Sequence, residues 1–243
     1  MPITETSPDK PTIVLVHGAF AESSSWAGVI ASLTGDGYPV IAVANPLRGV
    51  TRDSDYLRAT LEALPGDLVL VGHSYGGTVI TGGGTGNPNV KALVYVGAFA
   101  PDAGETPGGL SSKFEGSTLA GTLVPVPVPG GGNDLYIDQS KYHSQFAADS
   151  SAEVATVMAV TQRPILDSAF AEESAEPAWK SIPSWFLFGA EDRNIPVAVH
   201  RFMAERAGSR RTVELAGGSH TVGIPEAGQV ADLIREAVAA TSA

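Results

Sequence analysis

A short apolar run leads directly into a G-x-S-x-G pattern in Asp67-Leu-Val-Leu-Val-Gly72-His73-Ser74-Tyr75-Gly76. The apolar run is typical of a buried strand. The pattern places Ser74 at the tip of a sharp turn between a strand and a helix, and the flanking glycines let the two chains pass closely. Alone the pattern is weak evidence, because a plain tight turn would also satisfy it. The strand before it and the helix expected from about Tyr75 favour a nucleophilic serine.

Similar apolar runs alternate with helix-like stretches on both sides of this turn. The predicted strands cover residues 12–17, 39–44, 67–72, 90–97, 184–188 and 211–215. Such alternation is typical of the α/β class, with a doubly wound, mostly parallel sheet that helices cover on both faces. Ligands of these sheets bind beyond the carboxyl ends of the strands. The residues that follow each strand are therefore the candidates for a functional site.

The alternation breaks between residues 101 and 181, after the strand that ends near Gly97. Proline and glycine concentrate in residues 124–133, which we expect to form a flexible loop. Helix-like stretches follow near residues 138–148, 152–160 and 165–172. A structureless loop of this length is improbable in a compact domain. We therefore expect residues 101–181 to form a cap, inserted into an α/β core of residues 1–100 and 182–243.

Composition excludes several classes of protein. The 243 residues include no Cys, which excludes a disulfide framework, thiolate metal sites and a cysteine nucleophile. The net charge of −11 argues against nucleic acid and anionic membrane surfaces as partners and favours a small neutral or weakly charged ligand. No apolar run approaches the roughly 18 residues of a membrane span, and residues 1–11 lack the apolar segment of a secretory signal. We expect a cytoplasmic protein, and the oligomeric state stays open.

A serine hydroxyl needs a base to take its proton, and the chain has five histidines. His220 follows the final predicted strand, at the edge of the sheet where ligands bind, and is the candidate base. His17 ends the first strand and is interpreted as a structural anchor of the following loop. His73 precedes the serine and is expected to point to the opposite side of the turn. His143 and His200 lie in helical stretches, where a packed or solvated side chain is the simpler interpretation.

The base also needs an acidic partner that fixes its tautomer and stabilises the imidazolium. Asp192 follows the strand that ends at Phe188 and is the candidate acid. Glu191 beside it and Asp102 after the fourth strand are the alternatives. Each of these carboxylates could instead be a solvated loop residue or a helix cap.

These segments resemble the α/β-hydrolase superfamily in sequence and in their order along the chain. The matching segments are Val16-His17-Gly18-Ala19-Phe20, residues 72–76, Gly189-Ala-Glu-Asp192 and Ser219-His220. The compact core, the insertion and Trp26 after the His-Gly loop resemble the small serine esterases related to plant methylesterases and hydroxynitrile lyases. The resemblance implies an eight-stranded sheet. Because only six strands are recognised, we expect the sheet to be truncated at its N-terminal edge.

An oxyanion hole and a substrate pocket complete the expected site. The backbone N–H of Tyr75 is one expected donor, and the resemblance supplies that of Ala19 as the second, with Phe20 as its neighbour. Phe20 is expected to line the acyl site, although it could equally belong to the core. Cap side chains that could line the pocket are Phe114, Leu135, Tyr136, Tyr142, Phe146, Met158 and Trp179. Each of them could instead pack in the core of the cap.

The expected reaction is hydrolysis of small carboxylic esters without a cofactor or metal, with Ser74 as nucleophile, His220 as base and Asp192 as acid. A hydroxynitrile lyase of the related type would be expected to carry Thr and Lys where Gly18 and Thr221 stand. Ser74 excludes a haloalkane dehalogenase, which needs Asp at this turn. A perhydrolase that uses the same triad and a ligand-binding module with little turnover remain as alternatives.

Overall fold

A six-stranded parallel sheet forms the centre of the computed structural model, which describes residues 10–242. In chain order the strands are β1 (Thr12–Val16), β2 (Val40–Val43), β3 (Leu68–His73), β4 (Val90–Val96), β5 (Leu123–Pro127), β6 (Asn133–Ile137), β7 (Ile165–Leu166), β8 (Ser184–Gly189) and β9 (Arg211–Leu215). The central sheet has the order β2-β1-β3-β4-β8-β9, and each neighbouring pair is parallel. Its six strands coincide with those predicted from the sequence, so the α/β fold is confirmed.

The helices lie between successive strands and after the last one. They are α1 (Ala27–Gly35), α2 (Val50–Glu62), α3 (Tyr75–Gly83), α4 (Pro107–Ser111), α5 (Gln139–Phe146), α6 (Ala152–Thr161), α7 (Ser168–Ala171), α8 (Val197–Arg206) and α9 (Ala227–Thr241). Short 3-10 helices cover Ser23–Trp26, Leu119–Thr122 and Ala178–Lys180. Within residues 10–242, no helix is both long and apolar enough to cross a membrane.

Both faces of the central sheet are buried, because successive side chains of a strand point to opposite faces. In β1, Ile13 and Leu15 belong to one apolar cluster, which includes the buried side chains of α1 and α9. Val14 and Val16 belong to the other cluster, together with α2, α3 and apolar residues of the segment 101–181. Burial on both faces explains why these strands read as continuous apolar runs in the sequence.

The N-terminal edge of the sheet differs from the eight strands that the resemblance implies. Within the described residues only Lys10 and Pro11 precede β1, so no room is left there for a further strand. β2 therefore forms the edge of the sheet. Residues 1–9, where two more strands would have to begin and where we expect no secretory signal, lie outside the described residues.

The proline- and glycine-rich stretch forms a β-hairpin, and the expectation of a flexible loop is wrong. β5 pairs antiparallel with β6, with Pro125 opposite Leu135. β5 lies at the edge of a small sheet of order β5-β6-β7. An edge strand tolerates proline, because N–H groups that point away from the sheet need no partner. Gly130, Gly131 and Gly132 turn the chain with φ values of 96°, 99° and 83°, which favour glycine.

The segment 101–181, which we call the cap, also departs from the expected helices at one place. α5 and α6 correspond to the helices expected near residues 138–148 and 152–160. Near residues 165–172, however, the chain forms the short strand β7 before α7 begins. Asp167 separates the two elements, because its carboxylate accepts hydrogen bonds from Asn133 of β6 as well as from the N–H of Ser168 in α7.

Candidate active site

Ser74 lies in the turn between β3 and α3, with φ 55° and ψ −125°. Such a conformation costs about 1–3 kcal/mol for a residue with a Cβ atom, and the surrounding structure must impose it. Close packing does so here, because a Cβ atom on Gly76 would lie 2.3 Å from the carbonyl oxygen of Val16. A Cβ atom on Gly18 would lie 2.5 Å from the Cβ atom of Ser74. The glycines therefore allow the strained turn that fixes the serine hydroxyl at the end of β3.

The side chains of Ser74, His220 and Asp192 form one chain of hydrogen bonds. Ser74 Oγ lies 2.8 Å from Nε2 of His220, and Nδ1 of His220 lies 2.7 Å from Oδ2 of Asp192. A carboxylate only accepts, so Nδ1 carries the proton and the lone pair of Nε2 faces the serine hydroxyl. The exposed fraction is 6% for Ser74 and 1% for His220. The structure thus brings together the three residues expected from the sequence, in a geometry that suits proton transfer.

Asp192 is buried and accepts four hydrogen bonds. Its Oδ1 accepts from the backbone N–H groups of Asn194 and Ile195, at 2.8 and 2.9 Å. Its Oδ2 accepts from His220 and from His200. Burial alone would raise the pKa of the Asp192 carboxyl, but the adjacent His220 and the hydrogen bonds from both imidazoles hold that pKa well below its usual range. Asp192 is therefore a fixed negative charge beside His220.

The two alternative acids have other surroundings. Glu191 is exposed at the surface. Asp102 forms a salt bridge with Lys180 at 2.7 Å, and this ammonium holds the pKa of Asp102 below its usual range. Within residues 10–242, neither carboxylate makes a hydrogen bond to His220. The geometry thus favours Asp192 over both.

Two buried histidines surround the triad without joining it. His17 accepts a hydrogen bond at Nε2 from the N–H of Asn45, at 3.1 Å, and burial lowers its pKa to about 4. His17 therefore anchors the end of β1 to the chain after β2, as interpreted from the sequence. His73 lies with Nε2 3.0 Å from the carbonyl oxygen of His220, and burial together with His220 lowers its pKa to about 3. Both side chains are therefore neutral near neutral pH.

His200 is a site residue that the sequence analysis missed. His143 and His200 were indistinguishable in the sequence, because each lies in a helical stretch. His143 is exposed on α5, but His200 is fully buried and its Nε2 lies 3.0 Å from Oδ2 of Asp192. The position of His200 in the sequence could have indicated this contact, because α8 begins at Val197 and its first turn directly follows the loop that carries the candidate acid.

The backbone N–H groups of Ala19 and Tyr75 make no hydrogen bond to another protein atom within the described chain. Tyr75 begins α3, and the first N–H groups of a helix have no partner inside the helix. The N–H of Phe20, the neighbour of Ala19, instead donates to the carbonyl oxygen of Arg163 at 2.9 Å. The two amides expected from the sequence are thus available to an oxyanion, whereas the amide of Phe20 is not.

Cap residues hold the loop that carries His220. The ring centroid of Phe146 lies 4.9 Å from that of His220, and the carbonyl oxygen of Phe146 accepts from the N–H of Thr221 at 3.2 Å. Asp149 accepts from the N–H of Ser219 at 2.7 Å and from the hydroxyl of the same residue. The cap thus holds the loop on both sides of His220. Asp149 could not be found from the sequence, because a single carboxylate after a helix carries no distinctive pattern.

A cleft of about 440 Å³ opens between α1 and α6. Phe20 and Met158, which were both expected in the pocket, line this cleft together with Val157. Glu22 and Glu153 contribute carboxylates to the same lining. The cleft is therefore largely apolar with two carboxylates, and neither Ser74 nor His220 is among its lining residues.

Tyr136 and Trp179, which were also expected in the pocket, lie elsewhere. Tyr136 belongs to β6, where it pairs with Val124. Trp179 donates its indole N–H to the carbonyl oxygen of Pro101 at 2.9 Å, and its ring lies 5.3 Å from the guanidinium of Arg206. Neither side chain lines the cleft between α1 and α6. Their contacts indicate packing within the cap and against the core.

A parallel sheet with a serine in the strained turn between a strand and a helix is the arrangement of an α/β hydrolase. Residues 13–233 match the model of the alpha/beta hydrolase family. The match spans most of the sequence, and the chain belongs to this family.

Plant enzymes are among its relatives. The chain is 24% identical to Methylesterase 8 of Arabidopsis thaliana over 234 residues, which are 87% of this chain and 83% of the relative. It is 24% identical to Alpha-hydroxynitrile lyase of Arabidopsis thaliana over 246 residues, with 88% and 91% covered. A crystal structure of polyneuridine aldehyde esterase has a TM-score of 0.79 at 21% identity and covers 93% of this chain and 98% of that chain. The resemblance to this group of small esterases is confirmed.

Proposed function

We propose that the protein is a serine hydrolase that cleaves small carboxylic esters through an acyl-enzyme. One observation carries the proposal: Ser74 Oγ lies 2.8 Å from Nε2 of His220, whose Nδ1 lies 2.7 Å from Asp192. A serine hydroxyl is a weak nucleophile until a base takes its proton, and this geometry suits His220 to that role. The similarity to Methylesterase 8 supports an ester as substrate.

In the first half-reaction, Ser74 Oγ attacks the ester carbonyl carbon while its proton passes to Nε2 of His220. Asp192 stabilises the resulting imidazolium, because its buried carboxylate binds the N–H at Nδ1. The N–H groups of Ala19 and Tyr75 bind the oxygen on which negative charge develops. His220 then gives the proton to the leaving alcohol as the C–O bond breaks, and the acyl group stays on Ser74.

In the second half-reaction, water takes the place of the alcohol. His220 removes a proton from this water while the oxygen attacks the acyl carbon. The bond to Ser74 Oγ breaks, His220 returns the proton to that oxygen, and the carboxylic acid leaves. Each proton that His220 takes is returned, so this reaction requires neither a cofactor nor a metal.

The cleft between α1 and α6 supports a small and largely apolar substrate. Its volume of about 440 Å³ is in the range of small-molecule sites. Phe20, next to the proposed oxyanion donor Ala19, lines one part, and the cap supplies Met158. Glu22 and Glu153 disfavour an anionic substrate by like-charge repulsion. Phe20 connects this cleft to the proposed triad, because its ring packs against that of Phe146, which in turn packs against His220. Through this connection the cap would limit the size of the substrate.

A lyase reaction is the second candidate, because one relative is named Alpha-hydroxynitrile lyase. The resemblance noted from the sequence implies Thr and Lys in a hydroxynitrile lyase at the places where this chain has Gly18 and Thr221. Thr221 carries no charge, and Gly18 offers no hydroxyl group beside Ser74. These two positions favour ester hydrolysis over the lyase reaction.

Hydrolysis of p-nitrophenyl acetate and p-nitrophenyl butyrate tests the proposal. The wild type and a control variant at an exposed serine, Ser112→Ala, are expected to turn over both esters at similar rates. Ser74→Ala is expected to lose about 10⁴-fold or more in kcat/KM, because covalent catalysis is gone. A wild type that binds these esters without hydrolysing them would indicate a ligand-binding module. Cleavage of mandelonitrile in place of either ester would indicate the lyase.

A further inference from the structure

His200 and His220 bind the same oxygen of Asp192 from two different elements. Nε2 of His200, in the first turn of α8, lies 3.0 Å from Oδ2, and Nδ1 of His220 lies 2.7 Å from it. The other oxygen, Oδ1, is occupied by the backbone N–H groups of Asn194 and Ile195. The two imidazoles are therefore the side-chain donors that share the negative charge of the carboxylate.

The surroundings of His200 leave Asp192 as its one polar partner within the described residues. The ring stacks on Phe188, with centroids 4.8 Å apart and planes at 7°. The side chain is fully buried, and Nδ1 makes no hydrogen bond to any described residue. A buried polar atom without a partner destabilises the fold, and a phenylalanine could make the same stack without that cost. A role in packing alone therefore does not account for a histidine here.

We propose that His200 is a positioning residue of the reaction, which holds Oδ2 of Asp192 and limits how strongly this carboxylate stabilises the positive charge on His220. The inference rests on the proposed function. A carboxylate oxygen that accepts hydrogen bonds from two N–H groups binds each of them less strongly than one that accepts from a single N–H group. His200 opposes a positive charge on His220 in either of its own protonation states. As a neutral ring it shares the acceptor, and as a cation it also repels the imidazolium.

Within the described residues, the other charged and titratable groups around the pair make no hydrogen bond to His200. His73 of β3 packs with its ring centroid 5.0 Å from that of His220, and its low pKa of about 3 keeps it neutral. Asp149 of the cap binds the N–H of Ser219 next to His220. Glu214 of β9, near His200, is paired with Arg201. A change in the pH profile can therefore be attributed to the contact with Asp192.

Two variants separate the hydrogen bond from the packing. His200→Phe keeps an aromatic ring against Phe188 but has no N–H for Asp192. His200→Gln keeps an N–H donor but has no ring. The measurement is kcat/KM for p-nitrophenyl acetate between pH 5 and pH 9, with His143→Phe on the exposed face of α5 as the control. In His200→Phe, the midpoint of the rise in activity is expected to move to higher pH by about 0.5 to 1 unit. His200→Gln and His143→Phe are expected to keep the wild-type midpoint.

An unchanged midpoint in His200→Phe would overturn the inference, and so would an equal shift in both His200 variants. If His200→Phe does not fold, ¹⁵N-histidine NMR of the wild type decides the question. One low-field histidine N–H proton that is lost in His200→Gln and another that is lost in His220→Ala would support the shared oxygen. The absence of a low-field proton that is lost in His200→Gln would overturn it. Failure of the proposed function is recognised separately, because Ser74→Ala would then hydrolyse the ester as the wild type does.

Discussion

Oδ2 of Asp192 and Nδ1 of His220 lie 2.7 Å apart, although the two residues are 28 positions apart in the chain. They meet because β8 and β9 are parallel neighbours whose last pair is Gly189 and Leu215, so that both following loops leave the same edge of the sheet. A Cβ atom on Gly189 would lie 2.1 Å from the carbonyl oxygen of Gly218. The approach of the two loops, and hence the contact between the proposed acid and base, therefore depends on glycine at this crossing.

Removal of the negative charge of Asp192 should lower kcat strongly, whereas removal of the neighbouring charge of Glu191 should not. Asp192→Asn is expected to lower kcat by about 10³- to 10⁴-fold, because the amide can no longer hold His220 in the tautomer that accepts the serine proton. Glu191→Gln, one residue away on the surface, is the matched control and should change kcat little. Steady-state kinetics on one chromogenic ester compares the variants. Severe loss in Asp102→Asn, with Asp192→Asn active, would assign the acid to the loop after β4 instead.

The activity of the enzyme should rise with pH in a single step, because His220 must be neutral to accept the proton of Ser74. His220→Ala is expected to abolish both the activity and the step. His143→Ala, which removes the exposed histidine of α5, should leave the step in place. The check is a kcat/KM profile on a neutral, non-titrating ester. The assignment of the base does not survive if the step persists in the residual activity of His220→Ala or disappears in His143→Ala.

Acid should destabilise the fold through the buried histidines. The pKa of His17 is lowered by burial to about 4, whereas an imidazole in the unfolded chain titrates near about 6.5. Between these two values only the unfolded chain takes up a proton, so the free energy of unfolding is highest above about pH 6.5 and falls as the pH falls. His17 alone should account for about 2 kcal/mol by pH 5. His73 acts in the same direction, since its pKa is lowered further.

Urea denaturation at pH 7.5 and pH 5 measures this loss. His17→Asn keeps polar atoms beside Asn45 but cannot titrate, and it should lose less stability between the two pH values than the wild type does. His143→Asn, at an exposed position, should lose as much as the wild type. An equal loss in the wild type and His17→Asn would show that His17 does not contribute to the acid sensitivity.

The length of the acyl chain that the protein accepts should depend on the side chains of α6 that line the cleft. Met158→Trp is expected to lower kcat/KM for p-nitrophenyl esters with long acyl chains about tenfold, because the larger side chain fills part of the cleft. The rate with the acetate ester should change little. Val160→Trp is the control, since Val160 lies on the same helix but is 62% exposed and does not line the cleft. A uniform effect of Met158→Trp on all chain lengths would argue against this cleft as the acyl site.

The expected core and triad could be derived from the sequence because their signals are local. Ser74 sits in a G-x-S-x-G turn, and Asp192 and His220 directly follow apolar strands whose burial on both faces makes them recognisable. The hairpin of β5 and β6 was hidden, since prolines exclude a central strand but not an edge strand. His200 and Asp149 were hidden as well, because only the packing of α8 and of the cap brings them to Asp192 and to the loop of His220.

The most direct measurement is the mass of the covalent adduct on the serine. The native protein, treated with a fluorophosphonate probe and digested, is expected to carry one phosphonyl group, on the peptide that contains Ser74, because the proposed base His220 lies 2.8 Å from this hydroxyl. Asp192→Asn should react far more slowly, and Glu191→Gln at the native rate. Labelling that persists in folded Ser74→Ala, or that maps to another residue of the native protein, would contradict the proposal that Ser74 is the nucleophile.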